Sequence, residues 1–198
     1  LLRDTGNRLL ALQYVIHNAS VSSLTYMFPL WMGDMLGWGA REVGIVFGVQ
    51  GALMVLFQGV LLGPLVRLLG EWQFLRISVT AFFLGMLSAV FATTMPVMVG
   101  SMYVAMTGAT LCMPLLNTII SHRTPLDNRG RMLGITSAAS SWGRVIGPLL
   151  AGTNLALFGY QGAWLGAACM VLLYLLWAFR EYALEQSRVR RGDVQQGN

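Results

Sequence analysis

Residues 134–152 read GITSAASSWGRVIGPLLAG, an apolar stretch that is rich in glycine. Gly143, Gly147 and Ala151 recur every four residues, so on a helix they form a flat stripe that a neighbouring helix can approach closely. Pro148 frees a backbone carbonyl one turn earlier, which favours a bend. The stretch therefore predicts a helix that packs tightly against another helix, and locally this packing alone explains the pattern.

The composition of the whole chain indicates a membrane protein. Of its 198 residues, 56% are hydrophobic and only 11% are charged, whereas soluble domains carry about 25% charged residues. The net charge of +5 comes from arginines scattered over short segments. Because they form no basic face with interleaved aromatic residues, we expect no nucleic-acid partner. We predict an all-α integral membrane protein whose partner is the lipid bilayer.

The apolar stretches are long enough to cross a bilayer, which takes roughly 20 apolar residues in a helix. We predict one bundle over residues 1–179, followed by a polar cytoplasmic tail over 180–198 with no core to join. The bundle contains six predicted transmembrane spans, at about 9–31, 43–66, 74–94, 97–121, 132–157 and 162–179.

The arginines predict the orientation of these spans, because positively charged loops stay cytoplasmic. One side of the predicted bundle carries Arg41 alone, and Arg144 lies inside a span. The opposite side carries eleven arginines: Arg3, Arg8, Arg67, Arg76, Arg123, Arg129, Arg131, Arg180, Arg188, Arg190 and Arg191. We therefore expect a protein of the cytoplasmic (inner or plasma) membrane with both termini in the cytoplasm.

The spacing of glycine and proline in the fifth span resembles a known motif. Gly134, Gly143, Gly147-Pro148 and Gly152 resemble the glycine–proline motif of the drug–proton antiporters of the major facilitator superfamily. The preceding loop, with Pro125 and Arg129-Gly130, is also similar to that family. The resemblance implies that the six spans form one half of a twelve-helix major facilitator fold.

A weaker match lies between the second and third spans. Gly63, Leu65 and Gly70 fit the family's cytoplasmic hinge pattern, but Arg67 stands where that pattern has an aspartate. The glycine–proline match favours the N-terminal half of the fold, in which residues 180–198 would begin a central linker. The degenerate pattern and the polar tail favour the C-terminal half instead. We therefore expect the chain to be a fragment whose missing N-terminal six-helix half belongs to the same polypeptide.

The same resemblance implies a function. We expect secondary active transport of small molecules by alternating access, in the form of proton-coupled efflux. Uptake remains an alternative, as does a non-transporting six-span sensor or channel component. An intramembrane enzyme is excluded, because the spans contain no paired aspartates and no Gly-x-Ser-x-Gly motif. Neither a cofactor nor a metal site is expected.

Polar residues in the middle of the spans are the candidate site residues. Arg144 is the strongest candidate, since a central arginine normally faces the bundle interior or a water-filled cavity. Ser137 and Ser141 lie seven and three residues before it, on the same helical face. Arg144 is either an anion-binding or counter-ion position, or a structural donor to backbone carbonyls of a broken helix.

Three further polar residues are candidates for the cavity. His17 has an ordinary pKa suited to proton carriage, although a lone histidine in a helix is more often a hydrogen-bonded structural residue. Asn18 and Gln50 line a cavity or bond neighbouring helices. Because no predicted span contains Asp or Glu, a coupling carboxylate must come from the other half.

Overall fold

The computed structural model describes residues 5–196, with side chains described from Arg8 to Ser187 except those of Arg123 and Glu185. Of the arginines used for the orientation, Arg3 lies outside the described residues. The side chains of Arg123, Arg188, Arg190 and Arg191 are likewise not described. Within residues 5–196, all regular secondary structure is helical, as expected for an all-α protein.

The helices follow one another through short connections. Helix α1 spans Thr5–Leu36, α2 spans Ala40–Leu69 with one π-helical turn at Phe57–Leu61, and α3 spans Glu71–Val90. Helix α4 spans Met95–Arg123. A last helical stretch, Leu126–Gln196, is broken at Gly159 into α5 (126–158) and α6 (160–196).

Glycines in the left-handed region separate three of these helix pairs. Gly37, Gly70 and Gly159 have φ angles of 65°, 80° and 68°. Residues other than glycine adopt this backbone conformation only at a steric cost. They lie between α1 and α2, between α2 and α3, and between α5 and α6. By contrast, Gly63 of the predicted hinge lies inside α2, with no neighbouring atom where its side chain would be.

Among the described residues, four stretches are long and apolar enough to cross a membrane by length and composition: Ala40–Leu69, Glu71–Val90, Met95–His122 and Leu126–Leu184. The last is 59 residues long and contains the break at Gly159. Each predicted span lies within one helix, except that the third, at 74–94, runs past the end of α3. The division into six transmembrane spans remains a prediction.

The polar segment after residue 179 continues α6 instead of starting a separate tail. The helix extends through Gln196, and Glu181 is buried. The ring of Tyr182 lies 4.0 Å from the guanidinium carbon of Arg76, at the start of α3. In the first turn of this segment, an aromatic ring therefore packs on a cation of another helix. The cytoplasmic tail over 180–198 stays a prediction.

The glycine stripe of α5 packs against α1. A methyl group added at Gly147 would lie 3.0 Å from Ala19 Cα and would overlap the Ala19 carbonyl oxygen. One added at Gly143 would lie 2.8 Å from Asn18 Cβ and would overlap the Val15 carbonyl oxygen. The two helices therefore meet backbone to backbone, at a distance that only glycine allows.

A hydrogen bond reinforces this contact. The Ser23 hydroxyl in α1 donates to the Gly147 carbonyl at 2.9 Å and also lies 2.8 Å from the Ala19 carbonyl. Gly134 and Gly152 of the same motif are not packed in this way, since Gly134 faces open space and the position of a Gly152 methyl is 3.9 Å from the Tyr26 hydroxyl. Pro148 lies inside α5, whose backbone stays helical there.

Replacing Gly147 by leucine should destabilise the protein, because the added side chain cannot enter the contact without separating α1 from α5. Overpacking of this kind costs about 1–3 kcal/mol or more. Thermal unfolding of the purified protein in detergent measures the loss. Gly134→Leu is the matched control, because this glycine lies in the same helix but faces open space. Equal unfolding temperatures for the two variants would contradict the proposed role of the contact.

Candidate functional site

Three of the predicted site residues lie together on an exposed face of α5. Arg144 Nη2 donates to Ser141 Oγ at 3.3 Å, and Ser141 Oγ donates to the Ser137 carbonyl at 3.2 Å. All three residues are exposed, whereas Gly143 and Gly147 are buried against α1. One face of α5 therefore holds the helix in the bundle, and another presents a guanidinium and two hydroxyls outward.

The positive charge of Arg144 has no compensating carboxylate in the described part of the chain. The contact between acidic and basic side chains found there joins His122 Nδ1 to Glu71 Oε2 at 3.3 Å, and both residues lie outside α5. The described hydrogen bond of Arg144 goes to a hydroxyl and not to a backbone carbonyl. An arginine in mid-span costs about 2.5–3.5 kcal/mol on insertion scales, so this position calls for water, an anion or another protein surface.

Next to this face lies a shallow cavity with mostly apolar walls. A cavity of about 440 Å³ lies between Ala138, Ser141, Trp142 and Val145. Trp142 is 66% exposed within the described chain. An indole, an aliphatic side chain and a nearby guanidinium can together contact an amphipathic anion or a helix that carries a carboxylate. We call residues 137–145 with these exposed side chains the Arg144 face.

His17 lies elsewhere, inside the bundle. Its ring packs edge-on against Phe82 of α3 and Tyr174 of α6, with ring centroids 6.0 and 5.7 Å apart. Its Nδ1 is buried without a hydrogen-bond partner, and so is Oε1 of Gln13, one turn earlier. His17 is therefore enclosed by α1, α3 and α6 and does not share the Arg144 face.

Asn18 and Gln50 also occupy separate positions. Asn18 Nδ2 donates to the Tyr14 carbonyl of its own helix at 2.9 Å, and its Cβ lies next to Gly143. Gln50 is buried on α2, and neither atom of its amide group has a hydrogen-bond partner. The structure thus brings Arg144, Ser141 and Ser137 together and leaves His17, Asn18 and Gln50 apart. Metal-binding groups of three or more His, Cys, Asp or Glu are absent from residues 5–196 as far as these are described.

The sequence analysis missed polar links between helices, and two of them join side chains that are far apart in sequence. The Tyr14 hydroxyl donates to Asn117 Oδ1 of α4 at 2.7 Å, and the Tyr160 hydroxyl donates to Asp34 Oδ2 at 2.5 Å. Asn117 is an isolated amide in a predicted span, which is a signal that could have been followed. The Tyr160–Asp34 pair lies 126 residues apart in sequence, and no local pattern predicts it.

The exposed surface of α2 was also overlooked. Val55 and Val60 are 72% and 60% exposed. Several glycines on this helix have no atom within 4 Å of the position where a side chain would be, namely Gly44, Gly48, Gly51, Gly59 and Gly63. The high frequency of glycine in this segment is the sequence feature that could have indicated an exposed packing surface. We call this surface the α2 glycine face.

Comparisons with known proteins agree with this architecture. The family model of the Major Facilitator Superfamily matches residues 10–195. The human organic anion transporter MFSD10 (TETRAN) has a similar fold, with a TM-score of 0.79 over 88% of this chain and 41% of its own. At 19% sequence identity, that similarity shows the fold alone.

Two tetracycline resistance proteins that match this chain are longer than it. The class C tetracycline resistance protein of Escherichia coli and the class G protein of Vibrio anguillarum are each 28% identical to it, over 72% and 76% of this chain. The matches cover 36% and 38% of those two proteins, so the chain spans less than two fifths of their length. A multi-drug resistance efflux pump PmrA homolog of Lactococcus lactis subsp. cremoris is 29% identical over 40% of the chain and 70% of its own length.

These findings confirm the family that the glycine–proline stretch predicts. They also confirm the exclusion of an enzyme, because the family consists of membrane transporters. With apolar helices long enough to cross a bilayer and a family match from residue 10 to residue 195, the chain is an integral membrane protein that belongs to the major facilitator superfamily.

Proposed function

We propose that this chain is the C-terminal half of a secondary active transporter that exports small molecules in exchange for protons. The observation that carries the proposal is the unpaired Arg144 on an exposed face of α5. In a family of transporters, such a charge fits the wall of a water-filled cavity between two halves. Transport measurements on an Arg144 variant test it.

A second six-helix half in the same polypeptide completes the proposed transporter. The α2 glycine face supports this, since open glycines in a membrane helix let another helix approach closely. The Arg144 face supports it as well, because its charge lacks a partner in the described chain. The greater length of the two tetracycline resistance proteins leaves room for such a half.

The proposed topology has six spans in the cytoplasmic membrane and both termini in the cytoplasm. Helices α3 and α4 are joined by a contact of 3.3 Å between Glu71 Oε2 and His122 Nδ1, at the end of the bundle where Arg129 Nε donates to the Thr124 carbonyl at 3.2 Å. The arginine-rich segments of the sequence follow α2 and α4 at this same end. The positive-inside rule therefore supports its assignment to the cytoplasm.

In the proposed mechanism, the bundle rocks as a rigid unit against its partner half and exposes the cavity to one side at a time. The close α1–α5 contact at Gly147 makes this unit stiff. Arg144 binds an anionic group of the substrate or pairs with a carboxylate of the other half. That carboxylate is the proposed proton carrier, because the predicted spans contain no Asp or Glu.

His17 is the local alternative for proton carriage, and its position disfavours it. The ring is enclosed by Phe82 and Tyr174 inside the bundle, away from the Arg144 face.

The direction of transport is inferred from relatives whose names describe drug resistance and efflux. A sensor or a channel component is the second candidate function, and steady conductance or a lack of flux would favour it.

Replacing Arg144 by alanine should lower transport by at least about tenfold, because the charge that binds the anionic group is lost (about 1.4 kcal/mol per factor of ten). The measurement is uptake of tetracycline into inverted vesicles that contain the full native polypeptide, driven by an imposed pH gradient. Arg131→Ala is the matched control, since Arg131 is an exposed arginine of the same helix. Wild-type flux in the Arg144→Ala vesicles would remove this residue from the site.

The native polypeptide should migrate near twice the 21.7 kDa of this chain, because a complete transporter contains a second bundle of similar size. An immunoblot of source membranes with an antibody against residues 180–198 measures this. A band near 21.7 kDa would contradict the single-polypeptide proposal. Chemical crosslinking would then distinguish two alternatives. A crosslinked dimer would favour a dimeric transporter, and a monomer would favour a non-transporting protein.

A further inference from the structure

An apolar ridge runs along the exposed side of α3. Ile77 and Leu84 are 48% and 54% exposed, and Ala81 lies between them. Their spacing of four and three residues places all three on one helix face, over a length of about 10 Å at 1.5 Å per residue. We call Ile77, Ala81 and Leu84 the α3 ridge.

The α3 ridge separates two grooves. On one side, a cavity of about 490 Å³ is lined by Ile77, Ala81 and apolar side chains of α2 and α4, among them Phe57, Leu65 and Val104. On the other side, a cavity of about 320 Å³ is lined by the whole ridge together with Arg76, Thr80 and Phe179 of α6. Ile77 and Ala81 therefore form a shared wall between two largely apolar grooves.

A cation lies at one end of the smaller groove. The guanidinium carbon of Arg76 is 4.4 Å from the ring centroid of Phe179 and 4.0 Å from that of Tyr182, so two aromatic rings hold it in place. Its Nε is buried without a hydrogen-bond partner. In the described chain, no carboxylate forms an ion pair with it. The charge of Arg76 is thus fixed in position and uncompensated.

We propose that this surface binds one diacyl phospholipid with an anionic headgroup. The phosphate pairs with Arg76, and the two acyl chains lie in the two grooves on either side of the α3 ridge. Basic positions between membrane helices attract anionic lipid headgroups, and Arg76 lies at the arginine-rich end of the bundle, one turn after Glu71. A charge that lines one apolar groove, with a second apolar groove on the other side of the α3 ridge, matches the shape of a lipid with two chains.

The chemistry distinguishes this lipid from other occupants. A zwitterionic lipid brings a second cation close to Arg76, which weakens the pairing. A lysolipid or a detergent molecule fills one groove and leaves the other empty. Free phosphate gains no burial of apolar surface. The site does not depend on the proposed transport function, because it lies on α3, away from the Arg144 face of α5.

The test measures lipid binding to the full chain, purified in detergent, by native mass spectrometry. Dioleoyl phosphatidylglycerol should bind about fivefold more tightly than dioleoyl phosphatidylcholine, as expected for one arginine near the membrane surface. Lysophosphatidylglycerol should bind more weakly than the diacyl lipid, and glycerol phosphate should not compete. Equal binding of the two dioleoyl lipids, or competition by glycerol phosphate, would overturn the proposal.

Variants locate the binding to this surface. Arg76→Gln should abolish the preference for phosphatidylglycerol. Ala81→Trp places a large side chain on the wall that the two grooves share, so it should weaken binding of both dioleoyl lipids. Arg67→Gln is the matched control, because Arg67 is an exposed arginine near the same end of the bundle, and it should keep the wild-type preference. An unchanged preference in Arg76→Gln, or unchanged affinities in Ala81→Trp, would rule out this site.

Discussion

The backbone contact between α1 and α5 is the constraint on which the rest of this structure depends. In a bilayer, helices are not driven together by the hydrophobic effect, so close packing and hydrogen bonds must hold them. Gly147 allows α5 to approach the Ala19 carbonyl, and the Ser23 hydroxyl bonds to the Gly147 carbonyl across the same contact. This arrangement determines which face of α5 lies inside the bundle.

The orientation of Arg144 follows from that contact. Because the glycine stripe is turned toward α1, a side chain one residue after Gly143 projects away from it, and Arg144 ends on the exposed surface with Ser141. His17 lies on α1 but is turned toward α3 and α6, where two aromatic rings enclose it. The two most polar mid-span candidates are thus separated by the packing of the helices that carry them.

The exposed surfaces of the bundle differ in chemistry. The α2 glycine face and the Arg144 face combine small residues or a charge with apolar side chains, which suits contact with protein or a cavity. The α3 ridge is aliphatic and ends at a cation stacked on two aromatic rings, which suits lipid. An arginine can serve either environment. The neighbouring groups distinguish the two arginine environments: a hydroxyl lies next to Arg144, and aromatic rings lie next to Arg76.

Apolar length and glycine–proline spacing are properties of single segments, so the all-α membrane class, the family and the approximate helix positions follow from the amino-acid order alone. The same holds for Gly147 as a packing position, since a four-residue repeat places residues on one helix face. The helix that this face meets, the enclosure of His17, the exposure of Arg144 and the contact of Arg76 with Tyr182 depend on the tertiary structure. Helical periodicity specifies the neighbours of a residue within its own helix, whereas these contacts join residues that are distant in sequence, and only the packing of whole helices sets them.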